Sequence, residues 1–201
     1  MMRSRHTPNV LKGAFVRMAD ETAPPEVVAF QYNPEELHRK VEARGGDAAA
    51  MRTPRELITL TLTVDAAEAL ERQSESADAG ADSIAPRLAA LELLMHRPEP
   101  RERSWWEILV SGVDSGREPL LLFVWGAHRV VPVRLLRLDI AEVLHDPELR
   151  PLHAEVTVTM RVVTHDDLPS GHQGTRYWRR HAKTLEALAA EAISETPPVD
   201  I

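Results

Sequence analysis

A chain of 201 residues with a formal charge of −7 and no cysteine can bury one sizeable core, and it excludes disulfides, thiolate metal sites and cysteine nucleophiles together. The acidic balance argues against a general nucleic-acid binder, because gripping a phosphate backbone needs a basic surface. No apolar run approaches the ~20 residues of a membrane span, and MMRSRHTPNVLKG lacks the apolar stretch of a signal peptide, so a cytosolic single main domain without membrane contact is expected.

VLKGAFVRM reads as a first strand with Leu11 and Phe15 apolar, and Gly13 reads as a bulge. After Pro24 and Pro25, EVVAFQYNP forms a second strand. Asn33 can satisfy a turn through its side chain, and Pro34 forbids a central-strand continuation. Val41 to Pro54 turns loop-like around Gly45 and Gly46. LITLTLTVD is the clearest strand: Ile58, Leu60, Leu62 and Val64 alternate with Thr59, Thr61, Thr63 and Asp65. The Ser, Asp, Ala and Gly that follow predict a surface excursion.

A helix is expected over SIAPRLAALELLM, with Ser83 as N-cap, Pro86 in the first turn, and Ile84, Leu88, Leu91, Leu94 and Met95 on its apolar side. RERSWWEILVSGVDSGRE is a short strand or inserted hairpin, and Trp105 and Trp106 serve packing or subunit contact. PLLLFVWG, HRVVPVRLLRLDIAEVL and PLHAEVTVTMRVV are three strands, the last burying Ala154, Val156, Val158 and Met160. Long strands with short turns predict an antiparallel meander or barrel. The expected fold is mainly β (α+β), with a β domain over 1–165, a linker over 166–176, and a short C-terminal helix within 177–201.

Candidate chemistry gathers at His145, Asp146, His153, His165, Asp166 and Asp167, yet no HExxH spacing joins any two as ligands on one helical face. Turn formation and solvated charge account for them. No GxSxG elbow and no phosphate-binding glycine loop occurs, and Ser111 has no evident base nearby. A non-enzymatic protein without cofactor or metal is expected. Arginine far outnumbers the lysines Lys12, Lys40 and Lys183, which reflects genome composition or guanidinium forks fixing subunit contacts.

Several separated pieces resemble, in order, the tube-type proteins of contractile injection systems. FQYNPEEL resembles their F-x-F/Y-N-P-x-x-L/I signature, LITLTLTVDA their next strand, SIAPRLAALELLM the following helix, and Trp125 with Gly126 the Trp-Gly that closes a later strand. Their hairpin turn, D-x-x-G-x-P, is kept here at Asp146 and Pro151 without the glycine, and His153 stands at the usual Arg position. The resemblance covers about residues 10 to 163. YWRRHAKTLEALA is similar to the opening of a LysM module through Tyr177, Thr184, Leu185, Leu188 and Ala189, though Ala182 and Lys183 replace its Gly-Asp pair.

The resemblance implies an antiparallel β-barrel or sandwich with one flanking helix, assembled as a hexameric ring. Within the family, a linker followed by a LysM-like tail implies the baseplate adaptor, or tube initiator, which joins the spike hub to the inner tube. Its partners would be further copies of itself, the spike or hub protein, the inner tube protein, and baseplate wedge or sheath proteins. Phe30, Tyr32, Asn33, Pro34, Trp125 and Gly126 would be fold signatures. Tyr177, Trp178, Thr184, Leu185 and Leu188 would make the outward partner contact. A repeating tube subunit and a monomeric ligand-binding β-barrel are the alternatives.

Overall fold

The computed structural model describes residues 11–18, 24–44, 53–67, 83–96 and 119–194. Seven strands form one antiparallel sheet: β1 (Ala14–Met18), β2 (Glu26–Ala29), β3 (His38–Glu42), β4 (Arg55–Asp65), β5 (Leu120–Trp125), β6 (Arg129–His145) and β7 (Pro151–Val162). Their order is β2-β1-β5-β6-β7-β4-β3. Among the described residues two α-helices, α1 (Ala85–Leu93) and α2 (Gly174–Ser194), accompany the sheet in a mainly β, α+β fold. Backbone pairing leaves the sheet open, with β2 and β3 as its edges.

The core follows from period-2 alternation. Ile58, Leu60, Leu62 and Val64 of β4 pair across the sheet with Met160, Val158, Val156 and Ala154 of β7, and all eight are buried. Each large side chain among them contributes about 1.5–3 kcal/mol by leaving water. The opposite face is polar, and Thr61 and Thr157 meet at 3.1 Å between hydroxyls. At the other end, Phe15, Phe30 and Phe123 cluster, with Phe15 and Phe30 edge-to-face at 5.2 Å.

Helix α1 packs through Ile84, Leu88 and Leu91, while Leu94 is half-buried and Met95 turns out to solvent. Ile84, rather than Ser83, occupies the N-cap position. Ser83 still supports that end, because its Oγ accepts from the Ala85 N–H and donates to the Pro151 carbonyl, tying the helix to β7. Gly13 opens no bulge. The Phe30 ring lies so close that a Cβ at Gly13 would stand 2.6 Å from it, and close approach is what glycine permits there.

Two further expectations need correction. β3 runs through part of the stretch read as a loop; its five residues, HRKVE, are all exposed, so no apolar alternation marks it. The interval read as a linker, 166–176, carries regular structure at both ends: a 3-10 turn spans His165–Asp167, and α2 begins at Gly174. Tyr177 lies inside that continuous helix and therefore opens no LysM-type strand. Gly45, Gly46, Trp105, Trp106 and Ser111 fall outside the described residues.

Candidate assembly surface

The signature segment is a bracket between distant strands. Asn33 accepts from the Gly13 N–H through Oδ1 and donates from Nδ2 to the Leu11 carbonyl, both at 2.8 Å, so its amide takes the place of a paired strand residue. Two residues earlier, Gln31 does the same toward β4: Nε2 donates to the Asp65 carbonyl and Oε1 accepts from the Asp65 N–H. Gln31 thus ties the β1–β2 flank to β4, where no backbone ladder joins them, while Asn33 holds the segment to the entry of β1. The Phe30 N–H donates to the Gly13 carbonyl, and its ring meets Trp125 at 6.4 Å. Gly126 follows with φ +68, a conformation that disfavours side chains. Half-buried Pro34 ends the bracket, and Tyr32 points to solvent.

The histidines and aspartates singled out from sequence have separate local partners. His145 meets Glu142 at 3.1 Å, His153 meets Asp65 at 2.8 Å, and His165 meets Asp166 at 3.1 Å. Asp146 accepts from the Glu148 and Arg150 N–H groups and pairs with the Arg150 guanidinium at 2.6 Å. Among the described residues, no group of three or more His, Asp or Glu could hold a metal. Asp65 is held below the usual carboxylate range, first by the Ala67 N–H and next by His153.

Asp167 organises the chain after β7. Burial alone would raise its pKa, but the Thr164 N–H and hydroxyl, followed by Arg161, outweigh that and hold it at about 2. Arg44 approaches the same carboxylate at 3.2 Å, so one acidic group joins three segments.

Helix α2 docks through Tyr177, Trp178 and His181. The Tyr177 hydroxyl reaches Met18 Sδ at 3.6 Å, and Trp178 Nε1 donates to His165 Nδ1 at 3.1 Å. Two of the residues expected to contact a partner are thus engaged within the molecule. Thr184 bonds back to the Arg180 carbonyl, whereas Leu185 and Leu188 are exposed. His181 is buried, and its Nδ1 has no hydrogen-bond partner.

Burial lowers the His181 pKa; Glu56 and the His128 carbonyl oppose that, while Arg129 and Arg39 reinforce it. Glu56 itself is buried and pairs with Arg39 at 2.6 Å. Neither His181 nor Glu56 stood out in the sequence. Glu56 had a signal, because it lies in phase with Ile58, Leu60, Leu62 and Val64 and so had to be an inward carboxylate with a partner.

A further exposed surface belongs to β6. Arg129–Val133 pairs with β5, but from Arg134 to His145 the strand pairs only with β7, and its other edge is bare among the described residues. Leu136, Val143 and Leu144 are 47%, 64% and 55% exposed along this stretch. Register shifts between Leu135 and Arg137 and again after Glu142 bend it. No protein-family model matches the sequence, and no curated protein matches it either.

Proposed function

We propose that this chain is a structural subunit of a contractile, phage tail-like injection system. It acts as the baseplate adaptor, a hexameric ring joining the central spike hub to the inner tube. The bare edge of β6 carries this reading. An exposed strand edge is a template for pairing with another chain, and proteins that remain monomeric blunt such edges. Here the edge is long and bears exposed leucine and valine. In a sixfold ring the contact would be heterologous and closed, β6 of one subunit meeting a different edge of the next. Completed across subunits in this way, the open sheet becomes the wall of a tube-type barrel, with the threonine-rich face free to line a channel.

Two local features support the family resemblance. The F-x-F/Y-N-P segment has a structural task, with Phe30 and Asn33 tying strand ends together. Leu149 occupies the position that the D-x-x-G-x-P pattern gives to glycine, and it carries a φ of 62, the left-handed conformation glycine favours. The role is mechanical: the ring gives tube subunits a platform with the symmetry of the hub, in the cytoplasm before firing, without turnover, cofactor or nucleic acid.

Quantitative mass spectrometry of particles sedimented from the producing cells tests this. About six copies per particle, as a single sixfold ring requires, are expected. Copies in large excess over the spike protein would make the chain the repeating tube subunit. Absence from sheathed particles would overturn the reading and favour the monomeric ligand-binding barrel.

A further inference from the structure

The outer side of α2 carries a feature that the ring does not use. An open groove of about 870 Å³ runs along the helix, walled by Arg176, Arg179, Arg180, Lys183, Ala187 and Leu188, together with His128 of the β5–β6 turn and Gly171 and His172 of the segment before the helix. Arg176, Arg180, Lys183 and Ala187 follow one another at helical spacing, so three cations share a stripe about 10 Å long. None of the four basic residues forms an ion pair within the described structure; Arg176 only lies over the Tyr177 ring, at 5.5 Å. This concentrated positive charge sits on a chain of net charge −7.

A second observation concerns the same helix. From Leu185 to Ile193 every residue is exposed, whereas the first half of α2 meets the body, mainly at β6 and the 3-10 turn, with Tyr177 also reaching Met18 of β1. A helical segment of this length without packing is marginal in water. Its Leu185 and Leu188 continue the side that Trp178 and His181 use for docking. Covering the second half would stabilise it.

We infer that this groove receives an acidic amphipathic helix of a partner protein. Carboxylates of the partner pair with Arg176, Arg179, Arg180 and Lys183, and its apolar residues cover Ala187 and Leu188. A nucleic-acid strand fits less well. The cations end after about two turns, Glu191 stands at the far end of the groove, and the apolar wall offers nothing to phosphates. The groove is built from α2, the segment just before it and the β5–β6 turn, so it is independent of what the sheet assembles into.

The test uses the full chain and a fluorescein-labelled peptide of Glu, Leu and Ala, long enough for about four helical turns. Fluorescence anisotropy should show saturable binding that weakens with added salt. The double variant R176E/R180E should weaken it by about tenfold or more, and Leu188→Asp should also weaken it. Circular dichroism checks that α2 persists, and R176A/R180A replaces the charge reversal if it does not. Failure of the peptide to bind, equal binding by the variants, or equally tight binding of a lysine counterpart of the peptide would overturn the inference. So would single-stranded DNA binding as tightly as the acidic peptide and being lost in the same variants.

Discussion

The two halves of β6 differ in what surrounds them. Val131 and Val133 are almost completely buried and face β5, whereas Leu136, Val143 and Leu144 lie on a stretch that only β7 pairs. The valines of the first half are consumed in folding; in the second half Leu135, Leu138 and Ile140 still pack on the core, while Leu136, Val143 and Leu144 stay exposed. Apolar content alone would not have separated them; the length of the neighbouring strand does, because β5 ends its pairing at Val133.

Truncation should break this comparison most sharply. Phe123 is fully buried and pairs with Val131, so Phe123→Ala should cost about 3–5 kcal/mol in urea unfolding through lost transfer energy and a cavity. Leu144→Asp should change folding stability by about 0.5 kcal/mol or less, as at other surface positions, yet abolish sedimentation with particles. A large stability loss for Leu144→Asp would mean that the second half is part of the folding core after all.

The bracket gives the next effect. Asn33→Ala removes two hydrogen bonds and leaves the Gly13 N–H and the Leu11 carbonyl without them. About 1–3 kcal/mol of destabilisation is expected, with loss of amide-exchange protection at Gly13 ahead of the β4–β7 ladder. Uniform loss of protection would show that the bracket and the core unfold as one unit.

Acid should separate the segment after β7 from the sheet in two stages. The lowered pKa of His181 means that its neutral form is favoured in the docked helix; that stability is complete above the ordinary value of 6.5 and falls as pH drops toward the folded value. The groups facing it are Glu56, Arg39 and Arg129, so protonation adds a cation beside two guanidinium groups. Asp167, lowered from 3.8 to about 2, contributes about 1–2 kcal/mol after allowance for partial solvation, lost between those two values. Proton NMR of the Trp178 indole should report helix release below pH 6.5, and His181→Gln should flatten that dependence. An unchanged profile in the variant would remove His181 from the account.

Much of this was legible in the sequence, and the gaps have physical causes. β4 and β7 announce themselves because one face is buried and the other wet, the condition under which alternation appears. β3 lies at the sheet margin with both faces exposed, and a charged margin is how a strand avoids unwanted pairing, so it carries no apolar rhythm. The NP signature pointed to a strand end, but nothing in it marked Gln31. Its contact with Asp65 spans 34 residues, and no local pattern encodes it. Likewise, Tyr177 and Trp178 were expected as an outward contact on the strength of a LysM-like resemblance, and a short motif does not show which body its aromatic residues meet.

The smallest effect tests the turn that carries the exposed end of β6 into β7. Asp146 fixes this turn by accepting from the Glu148 and Arg150 N–H groups, and the geometry forces Leu149 to φ 62. A left-handed leucine costs about 1–2 kcal/mol through its Cβ, and glycine removes that cost while adding about 0.5–1 kcal/mol of unfolded-state entropy. Leu149→Gly should therefore stabilise the fold by a net ~0.5 kcal/mol, measured by urea unfolding. The side chain is 80% exposed, so little packing is lost. If Leu149→Gly also weakens ring formation, the leucine is retained for a neighbouring subunit at the expense of the turn. If assembly is unchanged, the bare edge of β6 acts without the hairpin tip, and the surface to be mapped ends at His145.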